Sequence, residues 1–426
     1  MLDVRLIRES PDEVRRALAR RGAELVPAVD RILELDTERR ALLQRVEALK
    51  AERNRQSEEV ARRRKGGEIA DDLLESLKAL SEDIKQIDPQ VRTVEELLEG
   101  ELLSLPNLPL PVVPDGDASA NVVERTWGEI PDFAFAPRSH WDLGERLGIL
   151  DLPRGAKVTG TGFPVLTGAG ARLSRALVNY MLDLHTTRHG YREVAPPFLV
   201  NAASARGTGQ LPDLEQNMYV TEDGLYLVPT AEVPVTNLHR DELLRAEDLP
   251  VAWVAYTPCF RREAGAHGKE TRGLIRVHQF DKVELVRLCT PESSAEEHQR
   301  ILQHAEAVLQ DLALPYRVVM LAAGDLGFAS GCTYDLEVWA PGVGMWLEVS
   351  SASTFGGFQA RRANIRYRPA AGGKPAFVHT LNASGLALPR TIIGLLENNQ
   401  RADGSVQLPA PLVPYAGMER LVPPGA

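Results

Sequence analysis

The sequence predicts an α+β chain: an N-terminal antiparallel coiled-coil arm, then a larger domain with an antiparallel sheet flanked by helices. Three observations predict it. Two long apolar seams of heptad type lie within the first hundred residues, separated by Gly66 and Gly67. A stretch with four prolines in ten residues, LPNLPLPVVP at 105–114, follows and reads as a linker. Beyond it, runs rich in Val, Ile, Leu and aromatics are joined mostly as hairpins, with helices segregated among them. The expected domains are 1–104, holding a hairpin over about 29–100, a linker over 105–120, and a second domain over 121–426.

Residues 2–21 read as a short strand or loop and then a helix, with Ser10 at the N-cap and Pro11 at the first helical position. From about Val29, the residues Ile32, Leu35, Leu42, Val46, Leu49 and Val60 follow a three-four alternation, interrupted by Arg39, Arg53 and Gln56. The second seam is cleaner: Leu73, Leu77, Leu80, Ile84, Ile87, Val91, Val94 and Leu98. Helices of about 33 residues would each extend about 50 Å at 1.5 Å per residue. Pro89 predicts a kink in the second. After the linker, Leu173, Leu177, Met181 and Leu184 have helical spacing over 172–189, Gly190 stops it, and 191–200 turns to strand. Strands dominate from there to Arg368, apart from a helix over 291–312, and a last helix covers 390–400. Neither G-x-G-x-x-G nor G-x-x-x-x-G-K-[ST] occurs, which excludes a Rossmann or P-loop nucleotide site.

At 426 residues, with 44% hydrophobic and 25% charged residues, the chain has the composition of an ordinary globular protein. No apolar run approaches the roughly 20 residues that span a bilayer. The N-terminus lacks an apolar core and carries acids, so the expected location is cytoplasmic, with no membrane partner. Cys259, Cys289 and Cys332 are too far apart for a disulfide framework or a zinc site, and no zinc is expected. The net charge of −10 gives no reason to expect a DNA partner. Charge is uneven, however. Residues 50–65 carry seven basic side chains against three acids, whereas 66–101 carry three against eleven. A basic hairpin tip suits phosphate and shape contacts to RNA.

The densest chemistry lies in YTPCFRREAGAHGKETRGLIRVHQFDKVE, residues 256–284. It reads as a long hairpin whose polar loop holds Gly265, Gly268 and Gly273. Arg261 and Glu263 sit two apart and so share a strand face. Such a pair suits one ligand with two chemistries: guanidinium forks onto phosphate, and carboxylate accepts from an amine. His267 and His278 have neither the spacing nor the partners of a metal triad.

FRREAGAHGKETRGLIRVHQFDKVEL resembles the second signature motif of class II aminoacyl-tRNA synthetases, in the form carried by the seryl-tRNA synthetase family. VPTAEVPVT, TYDLEVW…WLEVSSAS…FQARRANIRYR and NASGLALPRTIIGLLENNQ extend the likeness in order, and with the arm it covers nearly the whole chain. The helix-strand unit ending in Pro196-Pro197 resembles the first class II motif, which implies a homodimer. The family reaction follows: ATP activates L-serine to seryl-adenylate, and the seryl group passes to tRNA(Ser) and also to tRNA(Sec). An amino acid:carrier-protein ligase or a non-catalytic RNA-binding paralogue is the alternative.

By motif position the resemblance implies Arg261 and Arg390 as catalytic cations. For ATP it implies Arg261, Arg262, Glu263, Val277, Phe280, Glu348, Val349, Ser350, Ser351 and Arg390. Arg276, Gln279 and His278 are lesser candidates. For serine it implies Thr230, Ala231, Glu232, Arg261, Glu284 and Ser384, with the roles of the two glutamates left open. Glu348 and Ser351 are the expected partners of Mg²⁺ carried with ATP. An unbroken strand would send these two to opposite faces, so a bend or bulge is expected here. Arg53, Arg55, Arg62, Arg63, Arg64 and Lys65 are the expected tRNA contacts on the arm. Two departures from the family pattern stand out: Pro389 before Arg390, where glycine is frequent, and the segment STFGGF.

Overall fold

The structure, a computed structural model, describes residues 1–263, 272–370 and 372–425. Gly265, His267 and Gly268 lie outside those residues. The chain divides into two units, Met1–Pro106 and a second that begins at Asn107.

In the first unit, α1 (Val4–Glu9) and α2 (Pro11–Ala19) precede the hairpin helices α3 (Pro27–Lys65) and α4 (Asp71–Ser104). The expected strand or loop at the N-terminus is therefore a helix. Asp3 caps it by accepting from the Arg5 N–H at 2.8 Å, and Ile7 buries its apolar side. Ser10 stands at the start of α2 but makes no side-chain capping bond; its N–H closes α1 on the Leu6 carbonyl.

The two seams meet as their spacing requires. Val29, Ile32, Leu35, Val46 and Val60 of α3 are buried, as are Ile84, Ile87, Val91, Val94 and Leu98 of α4. One interruption of the first seam is met by charge, Arg39 Nε reaching Glu95 at 3.0 Å, and beside the seam Asp36, 2% exposed, accepts from Arg8 at 3.1 Å. At the turn, Gly67 takes φ 77°, a conformation costly for a residue with a Cβ. Helix α4 continues through Pro89 without ending.

The second unit is built on an eight-stranded sheet. Its strands in chain order are β1 (Val122–Trp127), β2 (Arg192–Glu193), β3 (Val251–Phe260) and β4 (Gln279–Cys289), followed by β5 (Tyr316–Met320), β6 (Cys332–Ala340), β7 (Met345–Gly356) and β8 (His379–Ala387). The spatial order is β1-β5-β6-β7-β8-β4-β3-β2, antiparallel throughout except where β2 runs parallel to β3. The expected strand over 191–200 is broken in two, because Pro196 and Pro197 have no N–H to donate to a ladder.

Three helices cover this sheet: α5 (Ala169–Thr187) against β3 and β4, α6 (Ser294–Asp311) against β7 and β8, and α7 (Leu388–Asn398) against β6 and β7. Each buries an apolar stripe, such as Leu173, Leu177 and Met181 of α5. None of the helices among the described residues is long and apolar enough to cross a membrane.

Candidate active site

The strands β4, β7 and β8, the segment that follows β3 and the start of α7 line one cleft of about 400 Å³. The β3–β4 register sets one wall. It pairs Cys259 with Phe280, Thr257 with Lys282 and Ala255 with Glu284, so Phe280, Lys282 and Glu284 recur at the two-residue period of one strand face.

Arg261 follows directly on β3. Its N–H donates to the His278 carbonyl at 2.8 Å, and its Nε donates to the Pro229 carbonyl at 3.2 Å. The guanidinium carbon lies 5.1 Å from the centre of the Phe280 ring. Glu263 adopts φ 48°, a left-handed conformation that costs a non-glycine residue about 1–3 kcal/mol. Its carboxylate accepts from Arg276 Nη1 at 2.5 Å.

Arg262 corrects one expectation. It lines a separate surface pocket with Asp213 and Met218, away from the cleft that holds Arg261 and Glu263. Its N–H is held by the Asn217 carbonyl at 3.0 Å.

On the opposite wall the expected bulge is present. Leu336 pairs with Ser350 and Glu337 with Glu348, leaving Val349 as the extra residue. Glu348 and Ser351 therefore both face the cleft. Val349 and Ser350 do not line it: Val349 is buried in the core, and the Ser350 hydroxyl donates to the Ser384 carbonyl at 2.6 Å. Behind Ser351 stands Asp335, which accepts from the Ser351 hydroxyl at 2.6 Å. Burial, then the neighbouring Glu348 charge, raises the Asp335 carboxyl well above the usual range.

Arg390 enters from the first turn of α7, where Pro389 is accommodated without breaking the helix. Arg390 Nε donates to the Ile275 carbonyl at 3.0 Å, and its Nη1 reaches the Glu348 carbonyl at 2.8 Å and carboxylate at 3.2 Å. Val277 also lines the cleft, as does Phe355 of the STFGGF segment. His278 does not; its Nδ1 lies 3.0 Å from the Arg261 carbonyl oxygen. Gln279 lines an adjacent cavity.

The far end of the cleft is a polar cluster. Glu232, 7% exposed, accepts from Gln359 Nε2 at 2.5 Å and from Asn382 Nδ2 at 3.1 Å. Asn382 also donates to Glu284 at 2.8 Å, so one amide bridges both carboxylates. Lys282 Nζ completes the ring, 2.8 Å from the Thr230 hydroxyl and 2.5 Å from Glu284. Burial, then the nearby Glu284 charge, pushes the Glu232 carboxyl up to about 7, against the opposing pull of Gln359, Lys282 and Arg261. Thr230 and Ser384 line the cleft. Glu284 stands behind Lys282, and Ala231 is packed in an apolar cluster.

Sequence reasoning missed four residues of this site: Lys282, Asn382, Gln359 and Asp335. Lys282 had a readable signal in the Phe280–Lys282–Glu284 alternation. Asn382 had another, sharing the β8 face of Ser384. Gln359, fully buried with its Oε1 accepting from Thr380 at 2.7 Å, had none.

The expected tRNA contacts of the arm lie in the second half of α3. Arg55 pairs with Glu52, Arg62 and Arg63 pair with Glu59, and Arg63 also meets Asp72. Arg64 and Lys65 are exposed at the turn. Among the described residues, no group of three His, Cys, Asp or Glu side chains could hold a metal ion on its own. The three cysteines are buried and form no disulfide.

Residues 1–109 match the family model described as the seryl-tRNA synthetase N-terminal domain. Residues 217–399 match the class II tRNA synthetase core domain of the G, H, P, S and T types. The chain is 55% identical to a serine–tRNA ligase of Gemmatimonas aurantiaca, over 98% of this chain and 99% of that one. A serine–tRNA ligase of Carboxydothermus hydrogenoformans is 53% identical over 99% of both. A crystal structure of the Pyrococcus horikoshii seryl-tRNA synthetase complexed with ATP superposes with a TM-score of 0.93 at 40% identity, covering 99% of this chain and 100% of that one. The cytoplasmic Naegleria fowleri enzyme in complex with AMP gives 0.88 at 29% identity, covering 100% of this chain and 99% of that one.

Proposed function

We infer the division of labour in this cleft from one premise: the chain belongs to the seryl-tRNA synthetase family of class II aminoacyl-tRNA synthetases. Its reaction is the ATP-dependent activation of L-serine and transfer of the seryl group to tRNA. Activation joins two anions, the serine carboxylate and the α-phosphate, with loss of pyrophosphate. It requires no side-chain nucleophile, only positioning and fixed positive charge where negative charge develops.

One observation carries the assignment of roles: Arg261 and Arg390 converge on a single cleft whose other end holds Thr230, Glu232 and Lys282. Arg261 draws the serine carboxylate to the α-phosphate. Phe280 takes one face of the adenine and Arg390 the other, with the Arg390 guanidinium also meeting the γ-phosphate. Glu263 accepts from the adenine amine, and Val277 lines the base through its backbone. Thr230, Glu232, Glu284 and Ser384 bind the serine ammonium and hydroxyl. A site that hydrogen-bonds the hydroxyl rejects analogues lacking it by as much as roughly 10⁴–10⁵-fold.

Glu348 and Ser351, brought to one wall by the bulge at Val349, supply one carboxylate and one hydroxyl. So small a set fits Mg²⁺ only when phosphate oxygens and water complete it, and there the ion would neutralise triphosphate charge. On the arm, Arg53, Arg55, Arg62, Arg63, Arg64 and Lys65 grip the backbone of tRNA(Ser), and tRNA(Sec) is a second substrate. The protein works as a cytoplasmic homodimer, joined through α5 and the segment that follows it.

The test is serine-dependent exchange of pyrophosphate into ATP. Arg261→Ala should lower exchange by about 10²–10³-fold, the usual loss on removing one preorganised charge stabiliser. Near-normal exchange would remove Arg261 from the mechanism.

A further inference from the structure

We propose that Lys282 is a positioning residue for the amino-acid end of the cleft: its ammonium fixes the Thr230 hydroxyl and offsets two facing carboxylates, leaving one free to receive a substrate ammonium. The inference rests on the reading that this end of the cleft takes serine.

Lys282 is 5% exposed, and its Nζ lies 2.8 Å from Thr230 Oγ1 and 2.5 Å from Glu284 Oε2. A charge this deep is costly unless it is paired and hydrogen-bonded, and here it is both. An ammonium can only donate, so Thr230 Oγ1 accepts. The Glu232 N–H donates to the same oxygen at 3.3 Å. Both lone pairs of that hydroxyl are thereby engaged, and only its proton remains to offer. Thr230 therefore presents a donor to the cleft, which suits an oxygen of the ligand and excludes its ammonium.

The ammonium is left to the carboxylates, and their charge is the difficulty. Glu232 and Glu284 share Asn382, a neutral amide that satisfies oxygens but offsets no charge. The other groups facing them are Gln359, also neutral, the buried Cys259 thiol, Arg261 and Lys282. Arg261 Nε is held by the Pro229 carbonyl, and its guanidinium is assigned to the serine carboxylate and the α-phosphate. Lys282 is the cation bonded directly to a member of the pair. With Glu284 matched by Lys282, Glu232 carries the charge that an incoming ammonium can meet.

The experiment follows serine KM and ATP KM between pH 6 and 9 by pyrophosphate exchange, for the wild type, Lys282→Met, Lys282→Gln and Lys282→Arg. Lys282→Gln keeps a donor for Thr230 without the charge, and it replaces Lys282→Met should the latter fail to fold. Loss of the charge should raise serine KM about fivefold near neutrality, the fall in ionised fraction when a group titrating near 7 moves up by one pKa unit. The serine KM profile should move to higher pH, ATP KM should change less than twofold, and Lys282→Arg should recover part of the loss. An unmoved serine profile in a folded Lys282→Gln protein, or equal losses for serine and ATP, would overturn the proposal. Glu232→Gln separates the two levels of inference. If it too leaves serine KM unchanged, the assignment of the serine site fails. If it raises serine KM while Lys282→Gln does not, only the role of Lys282 fails.

Discussion

Replacing Glu232 by glutamine should make the protein relatively more stable as pH rises. Glu232 is buried beside Glu284, and its carboxyl is pushed from 4.5 to about 7. Between those values the folded chain binds a proton that the unfolded chain has lost, so stability falls as pH rises through that window. A shift of this size costs the fold on the order of 3 kcal/mol once the group is ionised, and about 2 of those accrue between pH 5.5 and 8.5. Glutamine does not titrate. Its amide must place an N–H against one of the donors from Gln359 and Asn382, an offset of about 1–3 kcal/mol that does not change with pH. The informative quantity is therefore the pH trend of the difference between variant and wild type.

All five tryptophans lie beyond residue 106, so urea unfolding followed by tryptophan fluorescence reports on the unit that holds Glu232. The stability of Glu232→Gln relative to wild type should climb by about 2 kcal/mol from pH 5.5 to 8.5. A flat difference, or one that falls, would refute both the burial argument and the repulsion from Glu284.

Deleting residues 56–70, the end of α3 with its turn, should leave serine-dependent exchange intact while weakening tRNA charging; loss of both would make the arm structural. Neutralising Arg62, Arg64 and Lys65 together should flatten the salt dependence of tRNA affinity, by about 0.7–0.9 in logarithmic slope for each phosphate no longer neutralised. An unchanged slope would place the RNA elsewhere.

Much of the fold was legible because its periodicity is local. The α4 seam from Ile84 to Leu98 could be read residue by residue, since helical neighbours three and four apart share a face. Asp36 could not, because its burial depends on Arg8, twenty-eight positions away. The helix Val4–Glu9 was missed for a similar reason: six residues carry little propensity signal, and the packing of Ile7 helps to hold them.

In the cleft, a bend or bulge between Glu348 and Ser351 could be anticipated once the resemblance gave both of them one ligand, because residues of opposite parity on a flat strand face apart. Arg262 illustrates the converse. It lies between Arg261 and Glu263 in sequence, yet its N–H is held by the Asn217 carbonyl and it lines another pocket. Gln359 becomes a site residue only when the short helix Phe358–Ala363 is brought over Glu232. That is a long-range fact that no spacing within the sequence encodes.

A crystal structure with a non-hydrolysable seryl-adenylate analogue measures directly where the nucleotide and the amino acid lie. The adenine should lie between Phe280 and Arg390, the phosphate on Arg261, and the seryl ammonium beside Glu232. An adenylate bound out of reach of both guanidinium groups would contradict that placement.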